Sequence, residues 1–258
     1  KKRFLMTIFG IGACMALMIV GYGIKDSIFD VAALQYDELE YADATIYLKD
    51  NLTQEERTEL ETYLSKEQEI EDVLHISFSA VTLKAEGEKQ EIYLYVPEDY
   101  AKVEDFLLFR DRITKESWHL PESGAMITEK MAATLDVAVG DKVIIEEEDG
   151  PDQEIEIVQI CENYVGHRLY MSNTQYEVLY GEKVYSNAIE FKLTEYDRDT
   201  VERIGEGALE YEGALSVQYL EDVNGQVDDM LESLNMVIVV VIVSAGLLAF
   251  VVLYNLNN

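Results

Sequence analysis

The chain is poor in the residues that carry most enzyme chemistry. Its 258 residues hold two cysteines, three histidines, one tryptophan and three prolines. The cysteines, Cys14 and Cys161, fall in an apolar run and in an expected strand, so no disulfide is expected between them. Cys and His are nowhere spaced as metal ligands. His75, His119 and His167 have no Ser, Cys or carboxylate neighbour at a mechanistic spacing, and GxSxG, HExxH, SxxK and Walker A patterns are all missing. No catalytic, cofactor-binding or metal-binding residue is therefore expected, no cofactor is required, and the chain is not expected to be an enzyme. The scarcity of proline and the lack of a Ser-rich stretch exclude a bead-on-string linker architecture.

Charge is missing from both ends. Phe4 to Gly23 and Met236 to Asn258 contain no charged residue and are strongly apolar. About 20 such residues span a bilayer core as a helix, so each segment predicts a transmembrane helix. A cleaved signal sequence is the competing reading of the first. That run is long for a signal core, no small-x-small site follows it, and Tyr22 and Lys25 stand where interfacial anchors belong. Lys1, Lys2 and Arg3 precede the first span and place that end in the cytoplasm. Residues 26–235 are then extracytoplasmic, both ends cytoplasmic, and the chain multi-pass. Gly10, Gly12 and Gly21 in the first span, with Ser244, Ala245 and Gly246 in the second, permit close helix packing.

Basic residues are the next scarcity. All 51 acidic residues lie between Asp26 and Glu232; removing Lys1, Lys2 and Arg3 from the 20 basic residues leaves 17 against them, a formal charge of −34. Nucleic acid is excluded as a partner by repulsion, and the acidity itself reads as a solubility device. The run Glu146 to Asp149 with Asp152 lacks the EF-hand pattern and reads as a solvated hairpin tip.

Periodicity organises the rest. Ile28, Val31, Ala32 and Leu34 keep a helical spacing, so residues 26–40 predict a stalk continuing the first span. Residues 41–120 read as a first α+β part. It has a strand at Ala44–Leu48, a helix opened by the capping box Thr53–Glu56, a hairpin of Val73–Lys84 and Gln90–Val96 around Glu86-Gly87, and an irregular aromatic stretch from 98 to 120. Residues 121–185 read as an inserted β-rich subdomain. Thr128–Leu135 is its first helix, Lys142–Glu147, Glu154–Glu162 and Leu169–Met171 its strands, and a second capping box at Ser172–Gln175 opens a helix that ends before Gly181. Residues 186–221 return to the α+β pattern with strand Ser186–Leu193, helix Asp197–Leu209 and strand Leu215–Tyr219; 222–235 predict a second stalk and 236–258 the second span. The expected fold is α+β, a mixed-sheet layer with an inserted β-rich subdomain, flanked by two transmembrane helices. Asn163 to Ser172 is the most individual stretch; it reads equally as a contact surface and as a loop whose Tyr164 and Tyr170 fill the core.

Four stretches in order carry a family resemblance: KKRFLMTIFGIGACMALMIVGYGIKDSI, ITEKMAATLDVAVGDKVII, NYVGHRLYMS and SLNMVIVVVIVSAGLLAFVVLYNLNN. Together they resemble the FtsX/MacB-like permeases of ABC transporters, and the third is similar to a segment of large two-repeat permeases of Gram-positive bacteria. The resemblance implies a porter-like outer domain and a stretch of a longer, two-repeat permease in the bacterial cytoplasmic membrane. It implies a cytoplasmic ABC ATPase on a separate chain, the lipid bilayer, and a second permease half or extracytoplasmic protein as partners. The implied role is mechanotransmission, coupling ATP hydrolysis to an outer domain that acts on a lipid-like or antibiotic substrate or on a partner protein. An extracytoplasmic sensor domain of a two-span receptor has the same topology and is the alternative; a tethered hydrolase and a scaffold for a cell-wall enzyme are the other competing readings.

Overall fold

The computed structural model describes residues 2–146, 151–220, 235–244, 246–247, 250–251 and 254. The expected second stalk and most of the second span beyond Ser244 lie outside them, as do Glu147 to Gly150. The chain divides into two units, residues 34–222 and residues 1–33 with 223–258.

In the terminal unit, helix α1 runs from Lys2 to Ala33. Ile8, Phe9, Met15, Leu17, Ile19 and Val20 stand exposed along it. One helical stretch among the described residues, Ile8–Leu39, is long and apolar enough to cross a membrane. A shorter apolar helix covers Asn235–Ser244. Gly21 faces that second helix: a Cβ on it would stand 3.1 Å from Ile238 Cγ1, so the missing side chain sets the approach.

The larger unit begins with a π-helical turn, Leu34–Leu39, which follows α1 in the chain without a break. Its elements are β1 (Ala44–Leu48), α2 (Gln54–Leu64), β2 (Ile70–Ala85), β3 (Glu88–Pro97), a 3₁₀ turn (Tyr100–Asp105), β4 (Phe109–Arg110), β5 (Ser117–Trp118), β6 (Ala125–Thr128), α3 (Glu129–Thr134), β7 (Lys142–Glu146), β8 (Gln153–Cys161), β9 (Arg168–Tyr170), α4 (Asn173–Tyr180), β10 (Ala188–Leu193), α5 (Arg198–Ala208) and β11 (Ala214–Tyr219).

Local chemistry fixes most boundaries. Thr53 and Glu56 form the reciprocal capping box of α2, with Glu56 N–H on Thr53 Oγ1 at 3.3 Å and Thr53 N–H on Glu56 Oε2 at 2.8 Å. Ser172 and Asp197 accept from the backbone N–H of Gln175 and Thr200 to cap α4 and α5. Gly181 ends α4 at φ 75°, where a left-handed residue is needed. Glu86 and Gly87 both have positive φ, the geometry of a two-residue hairpin turn.

Nine strands form one mixed sheet in the order β11-β1-β10-β2-β3-β9-β6-β8-β7; β3–β9 and β6–β8 are the parallel pairs. The 16-residue β2 is shared along its length. Its first half pairs with β10 from Ile70 to Ile76, and its second half pairs with β7 from Thr82 to Lys84. That last pairing closes β2-β3-β9-β6-β8-β7 into a ring. The strands within 121–185 thus do not form a sheet of their own; they complete a barrel on the β2/β3 hairpin.

Alternation then yields three apolar layers. Ile46, Ile189, Phe191, Leu60, Val201 and Ile204 pack α2 and α5 against one sheet face. Leu83, Leu94, Ile127, Val143, Ile157 and Leu169 fill the barrel. The opposite parity of the same strands, with Leu74, Ile76, Tyr95, Met126 and Tyr170, packs under Val103, Phe106, Phe109 and Leu120. The irregular stretch 98–120 is therefore the cover of the sheet's helix-free face.

Candidate functional site

The π-helical turn turns Gln35 and Leu39 inward, and Gln35 is 1% exposed. All four hydrogen-bonding positions of the Gln35 amide are used. Its Oε1 accepts from the backbone N–H of Tyr164 at 2.7 Å and of Val165 at 3.1 Å. Its Nε2 donates to Glu40 Oε1 at 2.5 Å and to Asn163 Oδ1 at 3.0 Å. Asn163 Nδ2 in turn donates to the carbonyls of Val165 and Gly166, shaping the loop that Gln35 grips. Gly166 sits there at φ 71°.

Two ion-pair systems flank this amide. Arg168, at the start of β9, donates from Nη1 to Glu40 Oε1 at 2.8 Å, and its guanidinium lies 6.0 Å from the Phe78 ring centroid. Glu162, whose side chain is fully buried, accepts from Arg110 Nε at 2.5 Å, Lys115 Nζ at 2.8 Å and Tyr164 Oη at 2.5 Å. Arg110 extends to Glu38 Oε2 at 2.6 Å. Backbone bonds add to the grip: Tyr41 N–H to the Phe106 carbonyl and Leu108 N–H to that of Leu39, both 2.9 Å. Residues 34–41 are thereby clasped to the loop 162–168 and to the covering stretch at 106–110.

The electrostatics match a static clasp. Burial pushes Glu162 up, but the hydrogen bonds from Arg110, Lys115 and Tyr164 outweigh it and hold its carboxyl below the ordinary range. Tyr164 is pushed up to about 12 by burial and by the carboxylate it serves. Burial alone would weaken the charge on Arg168, but Glu40 and the Tyr170 hydroxyl keep it firmly protonated. Cys161 is a buried free thiol raised to about 12 by desolvation, so it stays protonated and unreactive. None of these groups is poised to exchange protons near neutrality. The exception on this face is Glu190, half-buried on β10, accepting from Tyr95 Oη at 2.7 Å and raised by burial to about 7.

Two of the three histidines acquire partners that spacing did not show. His119 Nδ1 stands 2.6 Å from Glu104 Oε1 on an exposed turn, and His75 Nε2 lies 3.4 Å from Glu61 Oε1. Neither pair meets a nucleophile. Among the described residues, no three His, Cys, Asp or Glu side chains are grouped to hold a metal ion. Glu146 of the acidic run pairs with Lys89; Glu147 to Asp149 lie outside the described residues. The stretch 163–172 serves both readings, Tyr170 in the core and Tyr164 in the clasp. Sequence reasoning missed Gln35, Glu38, Glu40, Arg110 and Arg168. One signal was there: Gln35 lies four residues after Val31 and seven after Ile28, a lone polar side chain on an apolar helical stripe.

No family model matches this chain, and no curated protein matches it. Among solved structures it is similar to the periplasmic region of MacB from Actinobacillus actinomycetemcomitans, at 14% identity over 74% of this chain and 94% of that one, with a TM-score of 0.44. It is also similar to the extracellular domain of the noncanonic ABC-type transporter YknZ from Gram-positive bacteria, at 12% identity over 69% of this chain and 99% of that one, with a TM-score of 0.43. Both are extracytoplasmic domains.

Proposed function

We propose that the chain is the outer domain, with its flanking membrane segments, of an ABC transporter permease of the FtsX/MacB-like type, and that it transmits force rather than catalysing a reaction. One observation of its own carries this reading: the end of a membrane-length helical stretch, Leu34–Leu39, is fastened into the sheet by the Gln35 clasp. A buried amide with all its bonds made cannot slip by a residue without leaving the Tyr164 and Val165 N–H groups unpaired, at about 1–3 kcal/mol each. Displacement of residues 34–39 is therefore passed to loop 162–168 and to β9 instead of being absorbed. The ion pairs Arg110–Glu38 and Arg168–Glu40 add direction to the linkage.

In this reading residues 1–25 and 236–258 lie in or at the bacterial cytoplasmic membrane, residues 26–235 lie outside it, and 26–40 and 222–235 act as stalks. Residues 41–120 and 186–221 form the porter-like part, with 121–185 as its insertion. A cytoplasmic ABC ATPase on a separate chain supplies the motion, and a second permease half or an outer partner receives it. The substrate class that the resemblance implies is lipid-like or antibiotic.

The test is co-purification of the full-length protein from membranes, followed by ATPase assay. A stoichiometric ABC ATPase whose turnover changes when Gln35 is replaced by Ala supports the reading. A kinase domain following the second span, or no ATPase, refutes it and promotes the sensor alternative.

A further inference from the structure

Residues 99–109 cross the helix-free face of the sheet as a strap with fixed ends. At one end Glu98 N–H donates to the His75 carbonyl at 2.9 Å, and the Glu98 carbonyl accepts from Asn173 Nδ2 at 2.8 Å. At the other end the Arg110 carbonyl accepts from Glu162 N–H at 2.9 Å, and the buried Glu162 carboxylate holds the Arg110 guanidinium. Between these anchors the underside is apolar: Val103, Phe106, Leu107 and Phe109 are each at most 5% exposed. They pack over Leu74, Ile76, Tyr95, Met126, Cys161 and Tyr170, with the Phe109 ring edge-on to Tyr170 at 4.9 Å. Phe109 pairs with Trp118 of β5, outside the nine-stranded sheet. Two lysines tie the strap sideways, Lys102 to Asp72 Oδ1 at 2.9 Å and Lys192 to the Asp105 carbonyl at 3.3 Å.

The middle of the strap is hydrogen-bonded to the chain that leaves the membrane-length helical stretch. Tyr41 N–H donates to the Phe106 carbonyl and Leu108 N–H to the Leu39 carbonyl, both at 2.9 Å, and Glu40 and Leu107 form an antiparallel bridge between them. Residues 34–41 thus have two receivers. Loop 162–168 joins β8 to β9, and each of these has a strand on both sides, so moving it breaks several ladders. The strap has side-chain packing and its lysine ties, and it yields first. We propose that strap 99–109 is a force-opened cover: movement of residues 34–41 peels its middle off the sheet while Glu98 and Arg110 hold, and uncovers the apolar layer around Tyr95, Met126 and Tyr170. The device rests on the force-transmitting role proposed above, but its opening is a property of the outer domain alone.

The chain supplies one reporter, because Cys161 lies in the covered layer. With Cys14→Ser, Cys161 is the only thiol of the full chain; adding Cys161→Ser and the near-isosteric Val103→Cys moves that thiol onto the strap. Labelling of both forms by N-ethylmaleimide in maltoside micelles is followed against urea. Comparable slow labelling of both is expected, nearly independent of urea below the global transition, since a local opening exposes little surface. Gln35→Ala, whose lost hydrogen bonds do not reach the strap, should raise both rates about tenfold. Val201→Ala, in the layer under α2 and α5, should raise neither. Glu38→Gln, at a half-exposed position, releases residues 34–41 from Arg110 more gently; it should raise both rates severalfold and serves if Gln35→Ala fails to fold. Labelling that climbs with urea as steeply as global unfolding overturns the proposal. So does acceleration of Cys161 alone, which confines the release to loop 162–168, or a Val201→Ala effect equal to that of Gln35→Ala. None of these outcomes alters the ATPase assay, so failure of the strap and failure of the permease reading are told apart.

Discussion

Replacing Glu190 by Gln should make the domain more stable in mild alkali and abolish part of its pH dependence. The substitution keeps the shape and lets Tyr95 Oη donate to the amide oxygen, so only the charge is lost. Burial, the largest influence on Glu190, raises it from an ordinary 4.5 to about 7; the Tyr95 hydrogen bond and Arg168 oppose this, and Glu40 adds to it. Tyr47 is the other titratable group facing it. Between these two values the folded chain holds a proton that the unfolded chain has released. Stability contributed by Glu190 therefore falls as pH rises from about 4.5 to 7, and the penalty is complete above 7. At 1.36 kcal/mol per unit, the shift caps the penalty at about 3 kcal/mol; partial exposure brings it to about 1–3 kcal/mol. Glu190→Gln should exceed the parent by that amount at pH 8 and match it near pH 4. Urea unfolding in maltoside micelles reports the difference through Trp118, the sole tryptophan, which packs against the same apolar layer. Taking the difference between the two proteins at each pH cancels the contribution of the other carboxylates. A difference that stays flat from pH 5 to 8, or a variant weaker than the parent at pH 8, refutes the reasoning.

Gln35→Ala strands the Tyr164 and Val165 N–H groups and should cost about 2–4 kcal/mol, with faster hydrogen exchange at those two amides ahead of the rest of the sheet. Arg110→Met leaves buried Glu162 with Lys115 and Tyr164 alone and should cost about 3–5 kcal/mol near neutral pH. Because Glu162 is held below its ordinary value, its contribution is present above about 4.5 and is lost on acidification through the folded value, so the gap between parent and Arg110→Met narrows as pH falls. Gly124→Ala forces a Cβ to 2.6 Å from Val158 Cγ1 and 2.9 Å from the Glu156 carbonyl at φ 74°; a loss of about 2 kcal/mol or more is expected in the same unfolding assay. Similar stability of parent and variant would contradict the packing of β6 on β8.

The elements were legible wherever local chemistry decides them. Thr53–Glu56, Asp197 and Ser172 are caps that act within four residues, and Glu86-Gly87 is a turn whose geometry those two residues set, so the α2, α4, α5 and β2/β3 boundaries follow from the sequence. Strand β6, Ala125–Thr128, was not expected: the sequence shows no element at residues 125–127 and the expected helix starts at Thr128, because all four strand residues are buried and no alternation betrays them. The stretch 98–120 read as irregular; its Val103, Phe106, Phe109 and Leu120 instead cover a sheet face, and four residues of it form the β4/β5 pair. Ring closure was not readable at all. It depends on β2 being long enough to serve β10 at one end and β7 at the other, and nothing in 16 alternating residues states which neighbour each half will take.

The clasp was opaque for the same reason at longer range. Gln35 and Tyr164 are 129 residues apart, and Arg110 and Glu162 are 52 apart. In a chain with 51 acidic residues a single Glu carries no signal of its role. The scarcity of cations is the better guide. With so few available, a buried arginine marks a place where geometry matters, because exposed pairs such as Arg198–Glu202 or Lys142–Glu154 contribute at most about 1 kcal/mol and tolerate rearrangement. The two most enclosed guanidinium pairings, Arg110–Glu162 and Arg168–Glu40, both border Gln35. Removing a partner from either leaves a buried charge behind, so both resist sliding as the amide does. The acidity that reads as solubility elsewhere thus has a second consequence at this one place: with Arg168 paired to Glu40, Glu190 feels that cation only through space, and the Tyr95 hydroxyl is its one hydrogen-bond partner among the described residues.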